Sequence, residues 1–307
     1  MLTSRFSQFA QFCLFSRSFS SLAERLSHGQ QKPHRLIDNI AIQRPGVLPL
    51  DLILVRHGES EGNLAQKASR QGNETVWSSS GIQHRHTSDY RLTSLGVEQA
   101  QETGRYIQTH ISQYFDAYFC SEYLRAQETA AHLNLENAEW TIDYALVERS
   151  KGMLQGFSAK ERAQLMDETS THPMASVIQA TTRFRKEQPF YHAIAGGESI
   201  ANICLRVDLW LHNLCFIRCG EDNRPLSSAI VVAHGNILKA FVMKLEHLTQ
   251  AQFLEWEARS DHEHDLAIQN CQILWFSRRD PNNPDKIFDN YQFVKTHCPT
   301  SSSSSSS

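Results

Sequence analysis

Two histidines give this 307-residue chain its first chemical signal. His57 follows the apolar run Asp51–Val55, His234 follows the run Ala229–Ala233, and each is followed directly by glycine. In α/β sheets, ligands bind beyond the carboxyl ends of strands. Two histidine–glycine pairs at such ends are hard to explain as packing. In Arg56-His57-Gly58-Glu59-Ser60, the neutral imidazole is a competent nucleophile toward phosphorus and can carry a phosphoryl group covalently. Its other ring nitrogen must be fixed by an acceptor, commonly a backbone carbonyl. It also needs positive charge nearby, because the equatorial phosphoryl oxygens are negative in the transition state. Arg56 is adjacent. Gly58 is expected to let the backbone approach the phosphate closely. Ser60 and Asn63 can donate hydrogen bonds from the same loop.

The string resembles the RHGES signature of the histidine phosphatase superfamily, also called phosphoglycerate-mutase-like. Further blocks resemble the family in the expected order. Leu92-Thr93-Ser94-Leu95-Gly96 is similar to LTxxG. Ser121-Glu122-Tyr123-Leu124-Arg125-Ala126, with Thr129-Ala130, resembles SxLxRAxxTA. Leu146-Val147-Glu148-Arg149 with Gly152 resembles LxExxxG, and Gly196-Gly197-Glu198-Ser199 resembles GGES. Val231-Val232-Ala233-His234-Gly235 is similar to the strand of the second histidine. The resemblance covers roughly residues 50 to 295.

Residue by residue, the resemblance implies that His57 is phosphorylated. Arg56, Arg125 and His234 would grip the phosphate, with Gly235 beside them, and Ser60 and Asn63 match positions that touch it. An arginine fork binds two phosphoryl oxygens at once, which lysine does less well. Glu148 resembles the general acid that protonates the leaving oxygen and then activates water. Glu128 and Glu198 are alternatives, each expected rather at a helix end or in a salt bridge. The segment after Glu148, Lys151-Gly152-Met153-Leu154, departs from the family's aromatic-acidic pattern. No metal or other cofactor is implied, because arginine and histidine supply the positive charge.

These residues need a frame. Asp51–Val55 and Ala229–Ala233 read as buried strands, Ala117–Cys120 as a short strand, and Cys271–Phe276 and Tyr291–Val294 as closing strands. Helical periodicity or propensity marks Gly96–Ile111, Glu122–Leu133, Gly197–Arg218, Ile237–Leu245 and Thr249–Ala258. Strands alternating with helices long enough for parallel crossovers give an α/β class. The expected architecture is a three-layer α/β/α sandwich around a mostly parallel sheet. The domain would span 46–297, with insertions near 64–91 and 157–195 that fold over the pocket as a lid and select the substrate.

The bulk composition sets bounds on partners. With 40% hydrophobic residues and a net charge of −3, no strong overall field draws the molecule to nucleic acid or an anionic membrane. No apolar run approaches the ~18 residues that span a bilayer. The seven cysteines are scattered without a CxxC pair and read as free thiols of a reducing compartment. Cys215 and Cys219 would share a face if their stretch is helical. His84-Arg85-His86 and Asp261-His262-Glu263-His264-Asp265 read as solvated loops rather than metal sites. Residues 1–45 are acid-poor up to Glu24 and rich in Ser, Phe and Arg, as in an organelle presequence, mitochondrial or plastid. Without such a leader the expected location is cytoplasmic. Arg17-Ser18-Phe19-Ser20 resembles a mitochondrial processing site cut after Phe19. The terminal Ser301–Ser307 run cannot bury apolar surface, so 298–307 is expected to be a disordered tail.

Within the family, glycolytic mutases carry Trp-Asn after the signature and then an FTGW-type segment. Here Ser60-Glu61-Gly62-Asn63 and the polar stretch Leu64–Arg91 stand instead. A mutase also needs a basic pocket for a bisphosphate, and Arg183, Arg185 and Lys186 fit that pattern poorly. The expected activity is therefore hydrolysis of a small phosphomonoester. The alternatives are a mutase-type phosphotransferase and a catalytically silent scaffold. A phosphoprotein phosphatase would want an open cleft, which the two insertions argue against.

Overall fold

Leu52, Ile53, Leu54 and Val55 are all fully buried and form the middle of strand β1 (Asp51–Arg56). The computed structural model of the protein describes residues 47–260 and 267–299. The expected leader, the Asp261–Asp265 histidine cluster and the serine run lie outside the described residues. After β1 come α1 (Glu61–Arg70), the short α2 (Thr75–Ser79), α3 (Ser94–His110), β2 (Ala117–Ser121), α4 (Leu124–His132) and β3 (Trp140–Asp143). Next are α5 (Ala159–Met166), α6 (Ala175–Glu187), α7 (Ile200–Leu214) and the small hairpin of β4 (Arg218–Cys219) and β5 (Arg224–Pro225). The chain finishes with β6 (Ser228–Ala233), α8 (Gly235–Leu245), α9 (Gln250–Ser260), β7 (Ile273–Asp280) and β8 (Asn283–His297).

The main sheet has the order β3-β2-β6-β1-β7-β8. The first four strands run parallel, and β7 pairs antiparallel with both β1 and β8. Alternation along β1 feeds two cores, since successive side chains point to opposite faces. Leu52 and Leu54 pack with Val231 against Val207, Phe241 and Phe253 of α7, α8 and α9. Ile53 and Val55 pack with Val232 against Ile107 of α3 and Ala126 and Ala130 of α4. Each fully buried aliphatic side chain contributes about 1.5–3 kcal/mol. The expected three-layer α/β/α architecture holds.

The element bounds differ from expectation in informative ways. α7 stops at Leu214, because the amides of Cys215, Phe216 and Ile217 turn back three residues to His212, Asn213 and Leu214 at 3.0–3.2 Å. Cys215 and Cys219 therefore do not share a helical face, and Cys219 lies in β4. α4 begins at Leu124 rather than Glu122, which leaves Glu122 and Tyr123 in the turn after β2. The 64–91 insertion is more than a polar loop. It holds α2 and most of α1 and has its own small core of Ala65, Trp77, Ile82 and Tyr90. Ser69 Oγ on α1 accepts the Ala159 amide at 2.8 Å, so the two insertions are joined at the start of α5.

Candidate active site

The end of β1 delivers His57 into a tightly held loop. The His57 amide donates to Ala233 O at the end of β6 at 2.9 Å. Its carbonyl accepts Asn270 Nδ2 at 2.9 Å. The Gly58 amide donates to Thr129 Oγ1 of α4 at 3.0 Å, and that hydroxyl donates to Arg125 O at 2.7 Å. An added Cβ on Gly58 would lie 2.5 Å from Gly96 O, and one on Gly96 would lie 2.1 Å from Glu59 O. The close approach that demands Gly58 is therefore to the first turn of α3. This steric demand from α3 is one that the sequence reading did not anticipate.

Two hydrogen bonds define the His57 tautomer. Arg125 Nε–H donates to His57 Nε2 at 3.2 Å, so Nε2 is the acceptor. Nδ1 therefore carries the proton and donates it to Gly58 O at 2.7 Å. Burial, then Arg125 and Arg56, holds the imidazole well below its ordinary pKa. The ring is thus neutral at pH 7 with its lone pair on Nε2, as a nucleophile requires.

Arg56 and Arg125 supply the charge. Arg56 Nη1 donates to Ile268 O at 2.6 Å, while its Nε is buried without a partner. Arg125 is 6% exposed, lies 4.9 Å over the Tyr123 ring and donates from Nη1 to Thr87 O of the first insertion at 2.5 Å. Burial pulls its pKa down to about 10, so it stays cationic at neutral pH.

His234 is fully buried behind the cavity wall rather than on it. Its ring centre lies 5.0 Å from that of His57, and its Nε2 meets Ser121 Oγ at 2.7 Å. Its Nδ1 has no partner, and burial holds its pKa well below the usual range. Gly235 and Asn236, in the first turn of α8, do line the cavity. Glu148 reaches the same turn. Its Oε1 accepts the Arg149 amide at 2.8 Å, and its Oε2 accepts the Asn236 amide at 3.5 Å.

Ser60 and Asn63 line the cavity, but they are engaged with each other. Ser60 Oγ donates to Asn63 Oδ1 at 3.0 Å and accepts the Asn63 amide at 3.3 Å, which caps α1. The Ser60 hydroxyl proton is therefore committed to the cap. The donor left for a ligand is the Asn63 side-chain nitrogen. The two alternative acids are structural. Glu128 accepts the Leu92 amide at 2.7 Å and Arg91 Nε at 2.6 Å. Glu198 is gripped by Arg206, whose Nε and Nη2 donate to its two oxygens at 2.8 and 3.0 Å. The Arg206 fork also holds Ala145 O and Val147 O, just ahead of Glu148.

These groups border a cavity of about 460 Å³. Both insertions contribute to its wall, with Gln66, Trp77 and Tyr90 from one and Arg162 and Arg185 from the other. Eight arginines and lysines line it against two carboxylates, Glu148 and Glu257. The field inside therefore favours anions. Sequence reasoning missed Arg70, Arg149, Lys151, Arg162, Lys239 and Glu257. Their only signal was Lys151, standing where the family pattern is broken. Of Arg183, Arg185 and Lys186, only Arg185 reaches the cavity, and Arg183 faces Glu187 at 3.7 Å on the surface. His84 and His86 meet Gln83 and Ser88 on exposed surface. Among the described residues no helix is long and apolar enough to cross a membrane.

Residues 52–272 match the sequence profile of the histidine phosphatase superfamily, branch 1. A 2,3-bisphosphoglycerate-dependent phosphoglycerate mutase of Methylocella silvestris is 33% identical over 202 residues, which cover 64% of this chain and 82% of that one. Two solved structures share the fold. A phosphoserine phosphatase of Entamoeba histolytica, in complex with phosphoserine, superposes with a TM-score of 0.52 at 20% identity, over 80% of this chain and 95% of that one. The alpha-ribazole phosphatase of Shigella flexneri gives 0.52 at 19% identity, over 80% and 95%.

Proposed function

The chain belongs to branch 1 of the histidine phosphatase superfamily, and from that premise we propose that it hydrolyses a small phosphomonoester through a phosphohistidine on His57. The observation that carries this reading is the His57 tautomer, with Nδ1–H bound to Gly58 O and the Nε2 lone pair beneath Arg125. On substrate binding, Arg125 Nε leaves His57 for a phosphoryl oxygen, and Arg56 Nε takes another. His57 Nε2 then attacks phosphorus in line with the ester oxygen. The P–O bond breaks, and the leaving oxygen takes its proton from the Glu148 carboxyl group. The phosphoimidazolium is held by Nδ1–H donating to Gly58 O. The Glu148 carboxylate next removes a proton from water, whose oxygen displaces His57 from phosphorus. Inorganic phosphate leaves, and both residues regain their starting protonation.

His234 serves as a positioning residue, its ring packed beside His57 and tied to Ser121. Donors such as Arg56 and Arg125 are each worth about 1.5–3 kcal/mol as charge-assisted hydrogen bonds. The cavity size fits a metabolite, at the smaller end of ligand pockets of about 300–1,000 Å³.

The cation-rich wall and the similarity to mutases favour a second reading, in which the phosphoryl group passes to another substrate hydroxyl. One assay separates the two. A phosphomonoester panel that includes 3-phosphoglycerate and 2,3-bisphosphoglycerate is incubated with wild type and His57→Ala. Phosphate release lost in the variant supports the hydrolase, and isomerisation without release supports the transferase. No turnover and no acid-labile phosphoenzyme on any substrate would leave a silent scaffold.

A further inference from the structure

The first insertion reaches the phosphate-gripping machinery itself. The Thr87 carbonyl accepts Arg125 Nη1 at 2.5 Å. A guanidinium carries its N–H donors in a rigid plane, with Nε–H and one Nη2–H parallel along one edge. The bond to Thr87 fixes that plane and leaves the Nε–Nη2 edge toward His57, where Nε donates to Nε2 at 3.2 Å. The Tyr123 ring covers the guanidinium face at 4.9 Å. A phosphoryl group over His57 Nε2 therefore meets two parallel donors from one edge. Without the tie on Nη1, the long side chain has other rotamers that turn this edge away.

Thr87 is itself held in place. It opens a short 3₁₀ turn, Thr87–Asp89, that is fastened on both sides. Before the turn, Arg85 Nη2 donates to Glu61 Oε2 at 2.8 Å. After it, the Arg91 amide donates to the same oxygen at 3.0 Å, and the Glu61 amide returns to Arg91 O at 2.9 Å. Glu128 lies one turn beyond Arg125 on α4 and grips the Leu92 amide and Arg91 Nε. The helix face that carries Arg125 thus also anchors the end of the insertion. The last tie comes from a third segment. Gln155, in the stretch after Glu148, donates from Nε2 to Thr87 Oγ1 at 3.0 Å.

We propose that Thr87 and Gln155 are positioning residues for the phosphoryl step. The Gln155–Thr87 hydrogen bond holds the Thr87 carbonyl, and that carbonyl aims the Arg125 fork at the phosphoryl oxygens over His57. When Arg125 Nε leaves His57 for a phosphoryl oxygen, Nη1 stays on Thr87, so the donor edge is set before the reaction begins. The first insertion then acts on the chemistry and does more than cover the leaving group. This inference rests on the proposed phosphoryl transfer to His57, but the aim of the fork can be measured on anions that transfer nothing. Thr87 and Gln155 both line the cavity, so a contact with the leaving group is the competing role. A leaving-group contact affects esters and spares ester-free oxyanions. A residue that aims Arg125 affects the oxyanions too.

The test titrates two ester-free anions by calorimetry into wild type, Thr87→Val, Thr87→Ser and Gln155→Met. One is inorganic phosphate, and the other is orthovanadate, which takes up the five-coordinate geometry of a phosphoryl group in transfer. Vanadate affinity should fall about tenfold in Thr87→Val and in Gln155→Met, and phosphate affinity by less than about threefold, because the aimed fork matches the transition state. Thr87→Ser keeps the hydroxyl and should stay within about twofold of wild type. The double variant Thr87→Val/Gln155→Met should lose no more than either single variant, because both remove the same bond. With p-nitrophenyl phosphate as substrate, kcat should fall by the same factor of about ten. Thermal unfolding of each variant checks that it is folded. Unchanged vanadate affinity in folded Thr87→Val and Gln155→Met, or additive losses in the double variant, overturns the positioning role and leaves the hydrolase reading standing. If wild type releases phosphate neither from p-nitrophenyl phosphate nor from the panel above, the hydrolase reading fails, and the vanadate titrations decide the positioning role by the same criteria. Wild type that does not bind vanadate overturns it as well.

Discussion

Gly96→Ala tests whether α3 seats the nucleophile loop. The ideal Cβ falls 2.1 Å from the Glu59 carbonyl oxygen and 3.0 Å from its carbonyl carbon. Ordinary carbon–oxygen contacts begin at about 3.3 Å, so about an ångström of movement is demanded of α3 or of the loop after His57. Neither yields freely. The Glu59 carbonyl accepts the Thr93 amide at 2.9 Å, where α3 is capped, and the Gly58 amide is fixed on Thr129. Overpacking costs about 1–3 kcal/mol, and the upper part of that range applies here because both partners are backbone. At about 2–4 °C per kcal/mol, Tm should fall by about 4–12 °C. If the loop takes up the movement, misplacing the nucleophile by an ångström costs about a hundredfold in rate. Thermal unfolding followed by circular dichroism reads the first effect, and phosphate release at saturating substrate reads the second. Wild-type Tm together with wild-type kcat would refute the reasoning.

Burial holds His57 and His234 well below their ordinary value of 6.5. The unfolded chain takes up protons that the folded chain refuses, so their stabilising contribution is full above about pH 6.5 and is lost as pH falls below it. His57→Gln should flatten the decline of Tm between about pH 6.5 and 5, by up to about 1.4 kcal/mol per pH unit, and an unchanged slope counts against a neutral buried ring. Burial, then Arg162, pulls Lys151 down to about 8. Anion binding in the cavity, which Lys151 lines, should therefore weaken as pH rises through about 8, and Lys151→Arg should carry it to higher pH. Inorganic phosphate that binds wild type with an affinity unchanged between about pH 7 and 9 would show that Lys151 does not contact the anion. Arg206→Met releases Glu198 and the carbonyls ahead of Glu148. It should cost about 2–3 kcal/mol in chemical denaturation and lower kcat more than it raises KM. A change in KM alone would show that Arg206 does not position Glu148.

The parts of this molecule written in local pattern were readable in the sequence. β1 and β6 are continuous apolar runs because both of their faces are covered, and the histidines at their ends stand out for the same reason. β3 escaped notice because Trp140–Asp143 is a half-exposed edge strand, with Ile142 55% exposed, and its mixture of types resembles a loop. α7 seemed to run on because Ile217 continues its apolar spacing, while the turn that stops it depends on backbone bonds that no residue type announces. In the site, His57, Arg56, Arg125 and Glu148 lay within recognisable strings. Arg70, Lys151 and Arg162 did not, because their proximity is created by the packing of α1 on α5. The Ser60–Asn63 cap was also hidden, since the same residue types serve equally for phosphate or for a helix end.

β1 lies between β6 and β7 in the sheet, although it is made long before either of them. Arg56 is tied to Ile268 across 212 positions, and the His57 carbonyl to Asn270 across 213. During synthesis this apolar strand must therefore wait, unpaired on both edges, until more than half of the chain has followed it. The first half cannot assemble a working nucleophile on its own. Loop closure over such distances makes folding slow and leaves Leu52–Val55 open to wrong pairings in the interval. Chains arrested before β6 should accordingly be prone to aggregate and dependent on chaperones, whereas chains that reach β7 can close the sheet and finish the active-site loop in the same event.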